Sequence, residues 1–197
     1  MKRAAITLAL ALTAVFGAAV APASAYDLAG DRWPAGTIPY YTNVGGQNDE
    51  VVRAANAWNK EKLGVTFVRT KAKSKARLIV RYGSRGCGGL GTVGYYGPRF
   101  VGDVQLGRAC RDALTRLTAA HELGHVLGLG HEEQRCALMN PVGDIDTGTP
   151  NNCSVRPIGY WLAKPIQSDD RRGARALYAD SLARSASVPA GPVLRLP

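Results

Sequence analysis

Histidine is scarce in this chain: there are three among 197 residues, His121, His125 and His131. Any imidazole chemistry must come from that one stretch. The four cysteines, Cys87, Cys110, Cys136 and Cys153, include no Cys-x-x-Cys pair, which argues against a thiolate-ligated metal. No run beyond Val20 is apolar enough to cross a membrane. The glycine-rich stretch 83–97 lacks the Lys-Ser/Thr ending of a phosphate loop and opens no helix, which argues against a nucleotide site. The formal charge is +10, yet no basic run is interleaved with aromatics. The charge therefore reads as a solvated surface and not as a nucleic-acid interface. There is no internal repeat.

What is present begins with an export signal. Lys2 and Arg3 precede an apolar run from Ala4 to Val20, followed by Pro22 and Ala23-Ser24-Ala25. A charged start, an apolar middle and an Ala-x-Ala end predict a signal peptide over residues 1–25, cut after Ala25. The alternative, a membrane anchor, is disfavoured because the run is short and no basic stop-transfer segment follows. A secreted, extracellular protein remains, long enough for one domain with a real core. Losing Lys2 and Arg3 lowers the charge to +8. An even number of cysteines in an exported chain implies two disulfides with three possible connectivities. Cys87–Cys110 with Cys136–Cys153 is preferred, because each pair then falls on its own side of the histidines.

Strands are expected at residues 37–42, 65–68, 76–82 and 101–106, with a short edge strand near Thr92–Tyr96. Asn48 is a candidate cap for a helix with Val51, Ala55 and Trp58 on one face, ending before Gly64. A second helix starts at Asp112 or Thr115 and carries the histidines. Residues 132–165 are rich in Gly, Pro, Asn and Asp, and only Ala137-Leu138-Met139 is compactly apolar. Ser168 is the candidate cap of a final helix containing Asp169 and Asp170. Residues 181–197 have no period and read as a flexible tail. This order predicts an α+β domain with a mixed sheet.

The histidines stand in His121-Glu122-Leu123-Gly124-His125-Val126-Leu127-Gly128-Leu129-Gly130-His131. On a helix, His121 and His125 are one turn apart on one face and can bind one metal ion. Gly128 and Gly130 allow the chain to turn so that His131 closes a third bond. Three ligands leave a position open for water, the catalytic and not the structural zinc arrangement. Glu122, beside that position, is the expected general base and then acid for attack on a peptide carbonyl.

With Ala137-Leu138-Met139-Asn140-Pro141 downstream, the motif resembles that of the metzincin zinc endopeptidases, in which a methionine turn lies beneath the metal. Thr118–His131 and Asp169–Tyr178 are most similar to the zinc helix and last helix of the matrixins, the catalytic fold of the matrix metalloproteinases. The resemblance covers about residues 30–180. It implies a metzincin catalytic domain over 26–180: a twisted, mixed five-stranded sheet with two helices above the cleft, and a small C-terminal part with the methionine turn and final helix. It implies one catalytic Zn2+ on His121, His125 and His131, Glu122 as general base, and Met139 as the floor. It also implies that an extended substrate pairs with Thr92, Val93, Gly94, Tyr95 and Tyr96 on the edge strand, and that one Asp of the 169–170 pair supports the methionine turn. The substrate is a protein or peptide, and the enzyme a monomer. Snapalysins are also similar but have aspartate as third ligand.

Departures from the pattern matter. No histidine is left for the second, structural zinc of matrixins, and no acidic loop marks a Ca2+ site in the expected region. No cysteine precedes Cys87, so a propeptide cysteine cannot hold the metal. Asn140 stands after the methionine, in the turn where astacins have tyrosine, which speaks against an astacin-type fifth ligand. The amine of Tyr26, freed by signal peptidase, is expected to dock on Asp169. The competing readings are a non-catalytic secreted zinc protein and a cationic envelope-binding protein.

Overall fold

The computed structural model describes residues 28–180. The expected signal peptide, Tyr26 and the expected C-terminal tail lie outside the described residues. Five strands form one sheet: β1 (Gly36–Asn43), β2 (Val65–Arg69), β3 (Leu78–Ser84), β4 (Gly89–Gly91) and β5 (Gly102–Gly107). The spatial order is β2-β1-β3-β5-β4, with four parallel strands and β4 antiparallel on the outer edge. Three parallel pairings demand crossovers, and α1 (Asn48–Asn59) supplies the first, between β1 and β2. The expected mixed sheet is thus observed, and the domain is α+β.

Alternation within the strands decides which face is covered. In β1, Ile38 and Tyr40 are buried while Thr37 and Pro39 are more open; β2 repeats this with Val65 and Phe67 against Thr66 and Val68. Leu78, Val80, Val104 and Leu106 continue the buried row, which packs against Val51, Ala55 and Trp58 of α1 and Leu123 and Leu127 of α2 (Ala113–Leu127). The opposite face is polar enough for Arg81 and Asp103 to pair across β3 and β5 at 2.8 Å. Trp58 fastens the two helices: it is 2% exposed and its indole N–H donates to the Ala120 carbonyl at 2.7 Å. Truncating such a side chain costs about 3–5 kcal/mol.

Several boundaries differ from expectation. The cap of α1 is Gln47 and not Asn48, whose side chain instead accepts from Val44 N and Thr42 Oγ1 and holds the preceding turn. The Gln47 amide also grips Asp112, so the starts of α1 and α2 are tied together. α4 (Ser168–Leu177) is capped by Gln167 and not Ser168. A helix not anticipated, α3 (Ile158–Ala163), is anchored by buried Trp161, which donates to Thr149 Oγ1 at 3.0 Å. Six residues are too few for an apolar period to stand out in a sequence. The disulfides are Cys87–Cys110 and Cys136–Cys153, the preferred connectivity, and they suit an oxidising compartment. No helix among the described residues is long and apolar enough to cross a membrane.

Candidate metal centre

The third ligand reaches the first two because α2 ends abruptly. Gly128 takes φ +106°, a left-handed cap that glycine adopts without a Cβ penalty, and its N–H returns to the Gly124 and His125 carbonyls. Leu129 and Gly130 then carry His131 back over the helix. One ligand atom from each of His121, His125 and His131 lies within 4.8 Å of the others.

Hydrogen bonding selects the tautomer of the two helical ligands. Nδ1 of His121 faces the Leu138 carbonyl at 2.8 Å, and Nδ1 of His125 faces the Leu129 carbonyl at 2.8 Å. A carbonyl only accepts, so each Nδ1 carries the hydrogen and each Nε2 presents a lone pair. The Nε2 atoms of His125 and His131 approach to 3.1 Å. His125 brings no hydrogen to that contact, so its Nε2 lone pair is turned toward the His131 ring, where a cation held by both nitrogens can replace the ring-to-ring contact. Burial, first of all, lowers the pKa of His121 to about 4, so it is neutral and ready to ligate at pH 7. His125 is lowered in the same direction, also chiefly by burial. Three nitrogen donors with an open side fit zinc.

Glu122 sits beside the histidines and is 4% exposed. Burial pushes its pKa up to about 7. Its carboxylate rests on β4: side chains at Gly89 or Gly91 would collide with it. The expected base therefore lies against the edge strand.

Met139 packs on Gly124 of α2, in the turn between His121 and His125. Asp170 of α4 sets the methionine turn, its carboxylate accepting the N–H groups of Leu138 at 2.8 Å and Met139 at 3.0 Å, and that of Gln167 at 2.7 Å. A continuous chain thus runs from Asp170 through the Leu138–Met139 peptide, which donates its Met139 N–H to Asp170 and accepts at its Leu138 carbonyl, to the His121 ring. Asp170, and not Asp169, supports the methionine turn. Asp169 faces Arg172 at 2.5 Å and Arg135 at 4.0 Å, while its expected partner Tyr26 is outside the described residues.

The sequence reading misplaced the edge strand. β4 is Gly89–Gly91, three residues before the expected start, and Thr92–Tyr95 packs back on the domain while Tyr96 is exposed. Gly94, at φ +75°, breaks the extended path. Its N–H goes to the His125 carbonyl, the Tyr95 N–H to Asp31, and the Tyr95 ring packs on Trp33 at 5.0 Å. The segment buttresses the end of the zinc helix. Thr92 binds back to Asp103, and Val93 closes over Gly30.

Two supporting roles escaped the sequence reading. Asn140 donates to the Glu132 and Arg135 carbonyls and accepts from Ala137 N, clamping the loop between third ligand and methionine turn. Glu132, 2% exposed, caps Gln134 and Arg135 with Oε1. A polar residue bonding within its own loop leaves no periodic trace; the one available signal was an acid lying so close to a ligand.

Comparison with known proteins agrees with this geometry. The peptidase family described as Astacin matches residues 26–142, more than half of the chain, and Matrixin matches residues 110–179. Matrix metalloproteinase-27 of Tupaia belangeri is 38% identical over 76 residues, covering 39% of this chain and 12% of that protein. The protein of the same name from Homo sapiens is 39% identical over 62 residues, covering 32% and 10%. The chain thus spans about a tenth of the length of these relatives. Two structures of myroilysin superpose with TM-scores of 0.50 and 0.51 at 15% and 14% identity, covering 75% of this chain and 85% and 82% of theirs. That likeness concerns the fold. The resemblance read from the sequence was closest to the matrixins, and it holds for the zinc helix and the C-terminal part, but the longer match is to another branch. With an astacin match over most of its described length and a matrixin-like metal centre, the chain belongs to the metzincins as a member of the astacin peptidase family.

Proposed function

We propose that this chain is a secreted zinc-dependent endopeptidase acting on extended segments of protein or peptide substrates. The observation that carries the reading is the convergence of three imidazole nitrogens beside a buried carboxylate, Glu122, that is held against the edge strand of the sheet. Zinc, when bound, supplies Lewis acidity, polarising the scissile carbonyl and making water acidic enough to attack near neutral pH.

The chain's own groups supply the rest. His121 and His125 hold their rings through Nδ1–H bonds to Leu138 and Leu129, so ligand directions are set before metal binds. The Glu122 carboxylate accepts a proton from the attacking water and delivers it to the leaving amine. A carboxyl whose pKa is raised to about 7 suits both halves of that transfer. Among the described residues no strand lies beside the outer edge of β4, and Leu90 there is 67% exposed. A substrate lying along Gly89–Gly91 as an added strand brings its backbone past Glu122, a mode tolerant of side-chain sequence. Side-chain preference then falls to the loop bearing exposed Val142, Ile145 and Val155.

In this reading the signal peptide over 1–25 directs export, residues 26–180 form the catalytic domain, and 181–197 is a tail. One zinc suffices for catalysis, with no second, histidine-ligated zinc, and the enzyme works as a monomer. Glu122→Ala tests the proposal. It should retain zinc, measured by metal analysis, while peptide hydrolysis falls by roughly a hundredfold or more. Hydrolysis at the original rate with full metal content overturns it.

A further inference from the structure

A second concavity lies between α1 and the connection from α3 to α4. It has a volume of about 640 Å³ and carries five basic side chains, Arg53, Lys60, Arg116, Lys164 and Arg171. No histidine lines it, and neither does Glu122 or Met139. Arg116 precedes His121 by five residues on α2, so at about 100° per residue it sits roughly 140° round the helix from that ligand. The cleft is therefore behind the zinc helix, not beside the metal.

Two carboxylates answer part of this charge. Glu50 takes Arg116 at 2.6 Å and Arg53 at 3.7 Å, and Glu61 takes Arg171 at 3.1 Å and Arg175 at 3.9 Å. The guanidinium forks of Arg116 and Arg171 are thereby committed. Lys60 and Lys164, both exposed, have no carboxylate partner among the described residues. Much of the remaining wall is apolar: Ala57, Leu162, Pro165 and Ile166.

These features narrow the occupant. There is no aromatic ring in the wall on which a base could stack, as single-stranded nucleic acid requires. The two charges without a carboxylate partner are ammonium groups, which suit single carboxylates, and only the Arg53 guanidinium, 3.7 Å from Glu50, is left for the fork that phosphate and sulfate polymers favour. An apolar wall serves a ligand that carries apolar side chains between its acids. We propose that this cleft binds an acidic segment of a polypeptide, with carboxylates on Lys60 and Lys164 and an apolar side chain against Leu162 and Pro165.

Fluorescence anisotropy with a labelled peptide alternating Glu and Leu tests this, using zinc-loaded Glu122→Ala protein so that the probe is not cut. Adding Lys60→Glu and Lys164→Glu together should weaken binding roughly tenfold or more, because attraction becomes repulsion at the site. The control, Lys73→Glu with Lys75→Glu, removes the same charge from the exposed β2–β3 connection and should change affinity less than about twofold. All four lysines are exposed, so the variants should share the parent's circular dichroism. Equal weakening by both pairs, or no measurable binding by the parent, overturns the proposal. Stronger binding of a sulfated polysaccharide than of the peptide, lost in the same cleft variant, overturns it as well.

Discussion

The sulfur of Met139 occupies the space that a side chain on Gly124 would need, so the methionine turn and the ligand-bearing helix meet without a gap. Trp58 closes the same spot from α1, its Cζ2 lying 3.1 Å from where a Cβ would stand. Trp58 is fixed by its bond to the Ala120 carbonyl and the Met139 backbone by its bond to Asp170, so only the thioether end of Met139 can yield, and it is 2% exposed in a packed core. Gly124→Ala should therefore destabilise the protein by about 1–3 kcal/mol through overpacking, although alanine is the better helix former. Urea unfolding measures this, and an unchanged or raised midpoint would show that the contact is slack.

Asp170 links stability to pH. Its carboxyl is pushed up to about 6, first by burial and against the pull of the Leu138, Met139 and Gln167 amides. The folded state then binds the proton more tightly than the unfolded chain, whose group titrates near 3.8. The contribution of this group is therefore fully present below about pH 4 and declines as pH rises through 6. In metal-free protein, the stability of wild type relative to Asp170→Asn should fall between about pH 4 and 7 by on the order of 2 kcal/mol. A difference that stays flat or grows over that range contradicts the assignment. At any pH the asparagine variant leaves a backbone donor facing an amide donor, which should cost about 1–3 kcal/mol.

Metal removal should separate the two ligand classes. His131 is exposed on the loop after α2, whereas His125 is buried and both helical ligands are bonded to carbonyls. His131→Ala should lose zinc affinity by orders of magnitude, while the metal-free variant unfolds within about 0.5 kcal/mol of the metal-free parent. For the parent, chelation should lower the melting temperature, and zinc at roughly a thousand times its Kd should restore about 4 kcal/mol. A melting temperature indifferent to chelator and zinc would show that the histidines hold no structurally coupled metal.

The Cys136–Cys153 bridge encloses the methionine turn, spanning 17 positions of the chain. Replacing both cysteines by serine should cost about 3 kcal/mol, chiefly through a freer unfolded chain. It should also loosen the loop between the third ligand and the turn, which denser proteolytic cleavage within residues 141–157 would register. Protection equal to that of wild type would show that the Asn140 clamp holds the loop without the bridge.

The clustering of the three histidines, the place of Glu122 beside them and the sheet's covered face were legible because each is local. Histidines at helical spacing, a glycine at the turn and alternating strand residues are set by periods of about 3.6 and 2 that survive without tertiary context. Even the disulfide pairing followed from the order of cysteines around the motif. Three features depended on contacts remote in sequence. Thr92–Tyr96 reads as a strand, but the end of α2 and Asp31 claim the Gly94 and Tyr95 amides, so the edge falls at Gly89–Gly91. Asp169 and Asp170 are indistinguishable as first-turn acids, and only the approach of Leu138 and Met139 separates their roles. The basic cleft joins α1, α2 and the α3–α4 connection, with Arg53 and Lys164 on its wall although they are far apart in the chain. By itself the sequence determined which atoms can bind the metal, because covalent spacing on a helix sets their directions. Tertiary structure alone decided which backbone edge stays open and which charges remain unpaired, because both depend on what other segments take first.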